Sequence, residues 1–183
     1  MRLACLLVLL AAPAAPVAAD CPPAPDIRPA IDALLAELRA APSEAAARAV
    51  SGRMWAEWTR APDARAQELL SEGMTRGRAG DARGARAALE ALVAYCPGYA
   101  EGWNQLAILD FVARDFAGAL AHVDRVLALD PRHVGALSGK GMTLLALGRE
   151  AEAHDALRAA LALNPWLAER RLLPDAPAPQ IDL

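Results

Sequence analysis

Residues 100–131 read AEGWNQLAILDFVARDFAGALAHVDRVLALDP. Apolar residues recur at helical spacing on both sides of Arg114-Asp115, and the stretch closes on Leu-x-Asp-Pro. That pattern predicts two amphipathic helices joined by a tight turn. The closing residue, Pro131, stands 34 residues from Pro97 on one side and 34 from Pro165 on the other. A fixed period of this length marks a chain built by stacking copies of one supersecondary unit.

Three units align on these prolines, at 66–99, 100–133 and 134–167. The fourth position holds Leu69, Trp103 and Leu137, and the eighth holds Gly73, Ala107 and Gly141. The twentieth is Ala85, Ala119 and Ala153; the twenty-fourth is Leu89, Val123 and Leu157; the twenty-seventh is Leu92, Val126 and Ala160. Where two helices of a hairpin cross, a large side chain would hold the axes apart, so the eighth and twentieth positions stay small. Bulky residues at the other positions fill the space beside the crossing, all on inward faces. The turns are marked by Gly80-Asp81, Arg114-Asp115 and Gly148-Arg149.

On these residues the chain resembles the tetratricopeptide repeat (TPR) family. The likeness covers 66–167 well and 26–62 loosely. It departs at the seventh position, where Glu72 and Lys140 replace the usual leucine, and at the eleventh, where Arg76 and Asp110 stand in place of tyrosine. The resemblance implies an all-α, right-handed α-solenoid of three 34-residue helix–turn–helix repeats, with an N-terminal helical hairpin and a C-terminal capping helix. It also implies a concave groove lined by first-helix residues at the second, fifth, ninth, twelfth and thirteenth positions. Those are Gln67, Leu70, Met74, Gly77 and Arg78, then Glu101, Asn104, Ile108, Phe111 and Val112, then Gly135, Ser138, Met142, Leu145 and Ala146. Asn104 and Ser138 could hydrogen-bond a peptide backbone, and the methionines suit an amphipathic helix or an extended peptide. The fifth positions lack the Lys/Arg/Asn clamp with which chaperone-binding relatives hold a C-terminal carboxylate.

Upstream, Met1-Arg2, an apolar run from Leu3 to Leu10 and Val17-Ala18-Ala19 predict a secretory signal peptide over 1–19, cleaved after Ala19. Asp20, directly before Cys21, argues against lipid attachment there. Lys140 is the single lysine among 19 basic residues, which suggests a GC-rich bacterial genome and therefore a periplasmic location. Cys21 and Cys96 then remain as an even number in an oxidising compartment and are read as a disulfide, the alternative being two free thiols. The reading is supported by register: Asp130 and Asn164 look like N-caps at their unit boundaries, whereas Cys96 would cap poorly.

A proline-rich leader precedes a degenerate helical hairpin within 20–62, expected to cover the open end of the stack. Its Met54, Trp55 and Trp58 are expected to pack on the first repeat. Residues 165–173 read as the capping helix, and 174–183 as a disordered tail.

Composition and motifs exclude several classes of function. Net charge is −3 with no basic stripe, so nucleic acid is not an expected partner. No stretch after the signal peptide is long enough to span a membrane. His122, His133 and His154 read as surface histidines without metal-ligand spacing. Ser138-Gly139-Lys140-Gly141 lacks the spacing of a phosphate loop. Glu68, Glu72, Asp110 and Asp124 read as carboxylates on solvated helix faces. No enzyme and no cofactor is expected. The expected role is a periplasmic adaptor binding a protein or peptide, in envelope or cytochrome assembly. The alternative is a binder of a small ligand or peptidoglycan fragment through Trp55, Trp58 and Trp103.

Overall fold

Five of the eight α-helices begin where a polar side chain takes up a free backbone N–H. Ser43 accepts from Ala46 N at 3.2 Å, Asp63 from Ala66 N at 2.8 Å, Asp81 from Gly84 N at 2.9 Å and Asp115 from Gly118 N at 3.0 Å. The Ala66 N–H, with Tyr95 second, holds the Asp63 carboxyl below its ordinary range. The Gly84 N–H, followed by Arg76, does the same for Asp81.

The computed structural model describes residues 20–174. The expected signal peptide, 1–19, and all of the expected tail except Pro174 lie outside these residues. Among those described, the chain is all-helical: α1 Arg28–Arg39, α2 Glu44–Trp58, α3 Ala64–Arg78, α4 Ala82–Tyr95, α5 Ala100–Val112, α6 Phe116–Leu129, α7 Val134–Ala146 and α8 Glu150–Leu163. A 3₁₀ helix, Ala168–Leu172, follows. No described helix is long and apolar enough to cross a membrane.

The pairs α3–α4, α5–α6 and α7–α8 form an α-solenoid, each second helix leaning on the next first helix. First helices of successive units approach one another, α3 to α5 and α5 to α7, which puts them on the inside of the curve. The within-unit crossing is matched in volume. A methyl on Gly73 or Gly141 would lie 2.6 or 2.5 Å from the Cγ of Leu89 or Leu157. Where the second unit carries that methyl, as Ala107, the facing residue is the shorter Val123. Both pairs fill one space at close-packed density. Positive φ at Gly80 (79°), Arg114 (62°) and Gly148 (73°) turns the chain at the same register in every unit. Only Arg114 takes this conformation with a Cβ, which costs about 1–2 kcal/mol.

Three boundary expectations are corrected. Asp130 and Asn164 are C-caps, of α6 and α8, and α7 is capped by His133, whose Nδ1 accepts from Ala136 N at 3.1 Å. Tyr99 precedes α5 without a side-chain cap, so Cys96 gives up no capping role. The capping helix over 165–173 is instead the short 3₁₀ segment. Too few residues separate Leu167 from Pro174 to repay helix nucleation, and Pro174 holds Leu173 extended, with ψ 131°.

The larger correction concerns the hairpin. It does not cover the open end of the first repeat; it reaches across the inside of the curve to the far end of the stack. Ile31, Leu34, Leu35, Leu38, Val50, Met54 and Trp58 share one core with Val134 of α7, and Leu163, Trp166 and Leu167 pack against it. Trp166 Nε1–H donates to Leu38 O at 3.2 Å, and Arg132 pairs with Asp32. Cys21 and Cys96 are joined in a disulfide that fixes the leader to the end of α4.

Candidate functional site

Trp58 is the hinge of this arrangement. It ends α2 over the boundary between the second and third units, stacked on the His133 ring at 4.3 Å between centroids. Its Nε1–H donates to Asp130 Oδ2 at 3.0 Å, and its carbonyl accepts from Tyr99 Oη at 2.8 Å. Burial, with the nearby Glu101 carboxylate second, pushes the Tyr99 hydroxyl well above its usual range, so it acts as a donor. The expectation that Met54, Trp55 and Trp58 pack on the first repeat is thus corrected.

Beneath Trp58 lies a polar cluster closed to solvent. Glu101 and His133 are each 1% exposed. Because His133 Nδ1 accepts the Ala136 N–H, the ring proton sits on Nε2 and is donated to Glu101 Oε2 at 3.1 Å. Glu101 Oε1 also accepts from Gln105 Nε2 at 2.6 Å and from Asn104 Nδ2 at 3.1 Å. Both carboxylate oxygens are therefore occupied, as a buried charge requires. Two expectations fall here. His133 is a buried hub, and Glu101 is unavailable to a partner, because the hairpin and the loop at 131–133 cover it.

Asp110 and His122 change character in the same way. Asp110, also 1% exposed, takes Arg86 from α4 and His122 Nδ1–H from α6 at 2.7 Å. A buried three-helix clamp replaces the tyrosine usual at that position. Asp110 does not lie on a solvated face, and His122 is half-buried against it.

Asn104 points its amide N–H towards Glu101, which leaves Oδ1 directed elsewhere. Between α2 above and α5 and α7 below runs a cavity of about 440 Å³. Met54, Trp55 and Trp58 wall it on the hairpin side, and Ile108, Phe111 and Met142 on the repeat side. Asn104 and Ser138 form part of its floor, each 5% exposed. Neither Asn104 Oδ1 nor Ser138 Oγ has a protein partner among the described residues. The cavity is thus an apolar slot with two free hydrogen-bonding atoms.

Six of the sequence-designated groove residues, Asn104, Ile108, Phe111, Gly135, Ser138 and Met142, come together here. Gln67, Met74 and Arg78, on α3, do not. Gln67 is exposed and accepts from Ala61 N at 3.1 Å. Met74 is half-buried against the core of the first unit, and Arg78 lies exposed beside Thr75. Trp103 is also outside the cavity, donating to Pro97 O at 3.0 Å beneath Arg125. The α2 wall was not legible as part of a groove. Its only signal was an unexplained concentration of Met54, Trp55 and Trp58. Among the described residues, no group of three or more His, Cys, Asp and Glu could hold a metal ion.

Comparison with known proteins agrees with this architecture. A profile described as Tetratricopeptide repeat matches residues 111–166. A TPR repeat-containing protein of Rhizobium etli is 39% identical over 62 residues, which is 34% of this chain and 30% of that protein. The chain thus spans less than a third of that relative. Among solved structures, the TPR2B domain of yeast Sti1 in a pHsp70 complex superimposes with a TM-score of 0.56. The match has 23% identity and covers 60% of this chain and 90% of that one. The first TPR of Spaghetti (RPAP3), bound to an HSP90 peptide, gives 0.56 at 23% identity, covering 57% and 83%. These likenesses bear on the fold. Periodicity, profile and architecture together support tetratricopeptide-type repeats as the building unit of this fold, with the profile match itself confined to residues 111–166.

Proposed function

We propose that the chain is a protein-interaction module whose cavity between α2, α5 and α7 takes an apolar peptide segment. Asn104 Oδ1 and Ser138 Oγ would hold its backbone N–H groups. The observation that carries this reading is that pair of free polar atoms set in an otherwise apolar slot. Both atoms reach the open slot, where water can serve them, and the backbone N–H of a ligand can take that water's place. Both structural neighbours named above are complexes with chaperone-derived partners, which supports a peptide ligand as a class. The predicted signal peptide and the Cys21–Cys96 bond support work in the bacterial periplasm, as an adaptor in envelope or cytochrome assembly.

A second reading rests on volume. A slot of about 440 Å³ is in the range of small-ligand pockets, and Trp55 and Trp58 could cover a peptidoglycan fragment.

Selection of a random peptide library on the full chain tests the first reading. Apolar peptides are expected to be enriched, to lose at least about tenfold in affinity with Asn104→Ala, and to lose binding with Met142→Glu. No enrichment, together with tryptophan quenching by muropeptides, would replace the peptide reading with the second.

A further inference from the structure

The slot between α2, α5 and α7 carries charge of one sign only. No lysine, arginine or histidine borders it, and its single ionised side chain is Glu169, from the 3₁₀ segment. Lys140, next to the lining residue Gly139, is engaged elsewhere, with its Nζ 2.7 Å from Asp124 Oδ1. Arg170 and Arg171 follow Glu169 in the chain but are not part of the lining. Glu57, Glu72 and Glu152 each face an arginine three or four residues away. Glu169 is half-buried and has no such partner, and no hydrogen bond, among the described residues.

The aromatic side chains repeat the contrast. Elsewhere the chain brings its own cation to an aromatic ring: the Arg65 guanidinium lies 4.2 Å from the centre of Tyr95, and that of Arg125 lies 6.0 Å from the centre of Trp103. Trp55, Trp58 and Phe111, which border the slot, have no cation over them among the described residues. Trp58 gives one face to His133, whereas Trp55 is 38% exposed. The face of an indole is electron-rich and attracts a cation placed within about 6 Å of its centre. A carboxylate and aromatic faces in one slot therefore favour positive charge, and an anion entering it would meet no basic group.

We propose that the slot selects a basic residue in the segment it binds, with the ammonium or guanidinium set against Trp55 and facing Glu169. Lysine and arginine carry apolar stems, which suit walls built from Met54, Ile108 and Met142. The partner is thus a peptide in which lysine or arginine stands among apolar residues, and a segment with aspartate or glutamate at that place is rejected. This polarity is opposite to that of a clamp for a C-terminal carboxylate. The inference rests on the peptide reading above and adds to it the charge of the ligand.

The probes are the peptides that the full chain enriches from the random library, resynthesised with blocked ends and remade with norleucine or glutamate in place of the basic residue. Enriched peptides are expected to carry a lysine or arginine among apolar residues. Norleucine should cost at least about tenfold in affinity at low salt, and glutamate more. The advantage over norleucine should shrink as salt is added. In Glu169→Gln it should fall by at least about fivefold, while the norleucine peptide binds as it does to wild type. Trp55→Leu keeps an apolar wall without the ring and should narrow the same advantage. Neither is a buried side chain, so both variants keep the fold. Enrichment of apolar peptides without a basic residue, or an advantage that neither variant changes, overturns the cation site and leaves the peptide reading standing. No enrichment at all overturns both.

Discussion

Replacing Glu101 with alanine is expected to lower stability by about 3–5 kcal/mol, far more than its place on a groove-facing helix would suggest. The carboxylate takes hydrogen bonds from His133, Gln105 and Asn104, and all three donors lose their acceptor together. Asn104 borders the cavity and can turn to water there; His133, 1% exposed, cannot. Each buried unsatisfied donor costs about 1–3 kcal/mol. The damage should spread to the hairpin, because Glu101 fixes the His133 ring on which Trp58 stacks. Urea unfolding measures the first effect, and the rate of tryptic cleavage at Arg53 and Arg60 measures the second. His133→Phe keeps the stacked ring and loses the α7 cap, typically about 1 kcal/mol, so the double variant should cost less than the sum of the two. A Glu101→Ala loss below about 1 kcal/mol would contradict the buried network.

Opening the Cys21–Cys96 bond is expected to cost about 4 kcal/mol, from the loop entropy returned to the unfolded chain. The bond spans 75 residues of sequence and encloses the whole hairpin together with the first repeat. Cys96 is 1% exposed, so Cys96→Ala with Cys21→Ala avoids burying a hydroxyl. The double alanine variant and the reduced wild type should then share one urea midpoint, well below that of the oxidised protein. The remaining foot, Asp63 with Tyr95, is a single hydrogen bond at half-exposed groups, so the leader and α1 should gain proteolytic sensitivity ahead of α5–α8. A midpoint that does not move on reduction would mean the bond constrains nothing.

The repeats were legible because their packing is local and recurs. Gly73, Ala107 and Gly141 opposite Leu89, Val123 and Leu157 state one steric rule three times, and the prolines give the register. The turn at Arg114 was legible for the same reason, since Gly80 and Gly148 stand at its equivalents. The position of the hairpin was not. It depends on contacts between residues 72 apart, Trp58 with Asp130, and 128 apart, Trp166 with Leu38, which obey no period. Once the hairpin is in place, the meaning of neighbouring residues changes. Glu101, at a conventional groove position, becomes buried; His133, at a unit boundary, becomes both a helix cap and a stacking platform. Asn104, Ile108, Phe111, Ser138 and Met142 could be placed in advance because the helix register alone sets them on one face. Met54, Trp55 and Trp58, which complete the cavity, could not.

The central claim is that the N-terminal hairpin lies along the inside of the curve with its far end against the last repeat. Spin labels on non-cysteine side chains at Ala40 and Ala168, both exposed, report this directly by electron–electron resonance in the oxidised full chain. The account predicts one short, narrow distance between them. A long or broad distribution, as a hairpin stacked on the outer face of the first repeat would give, would contradict it.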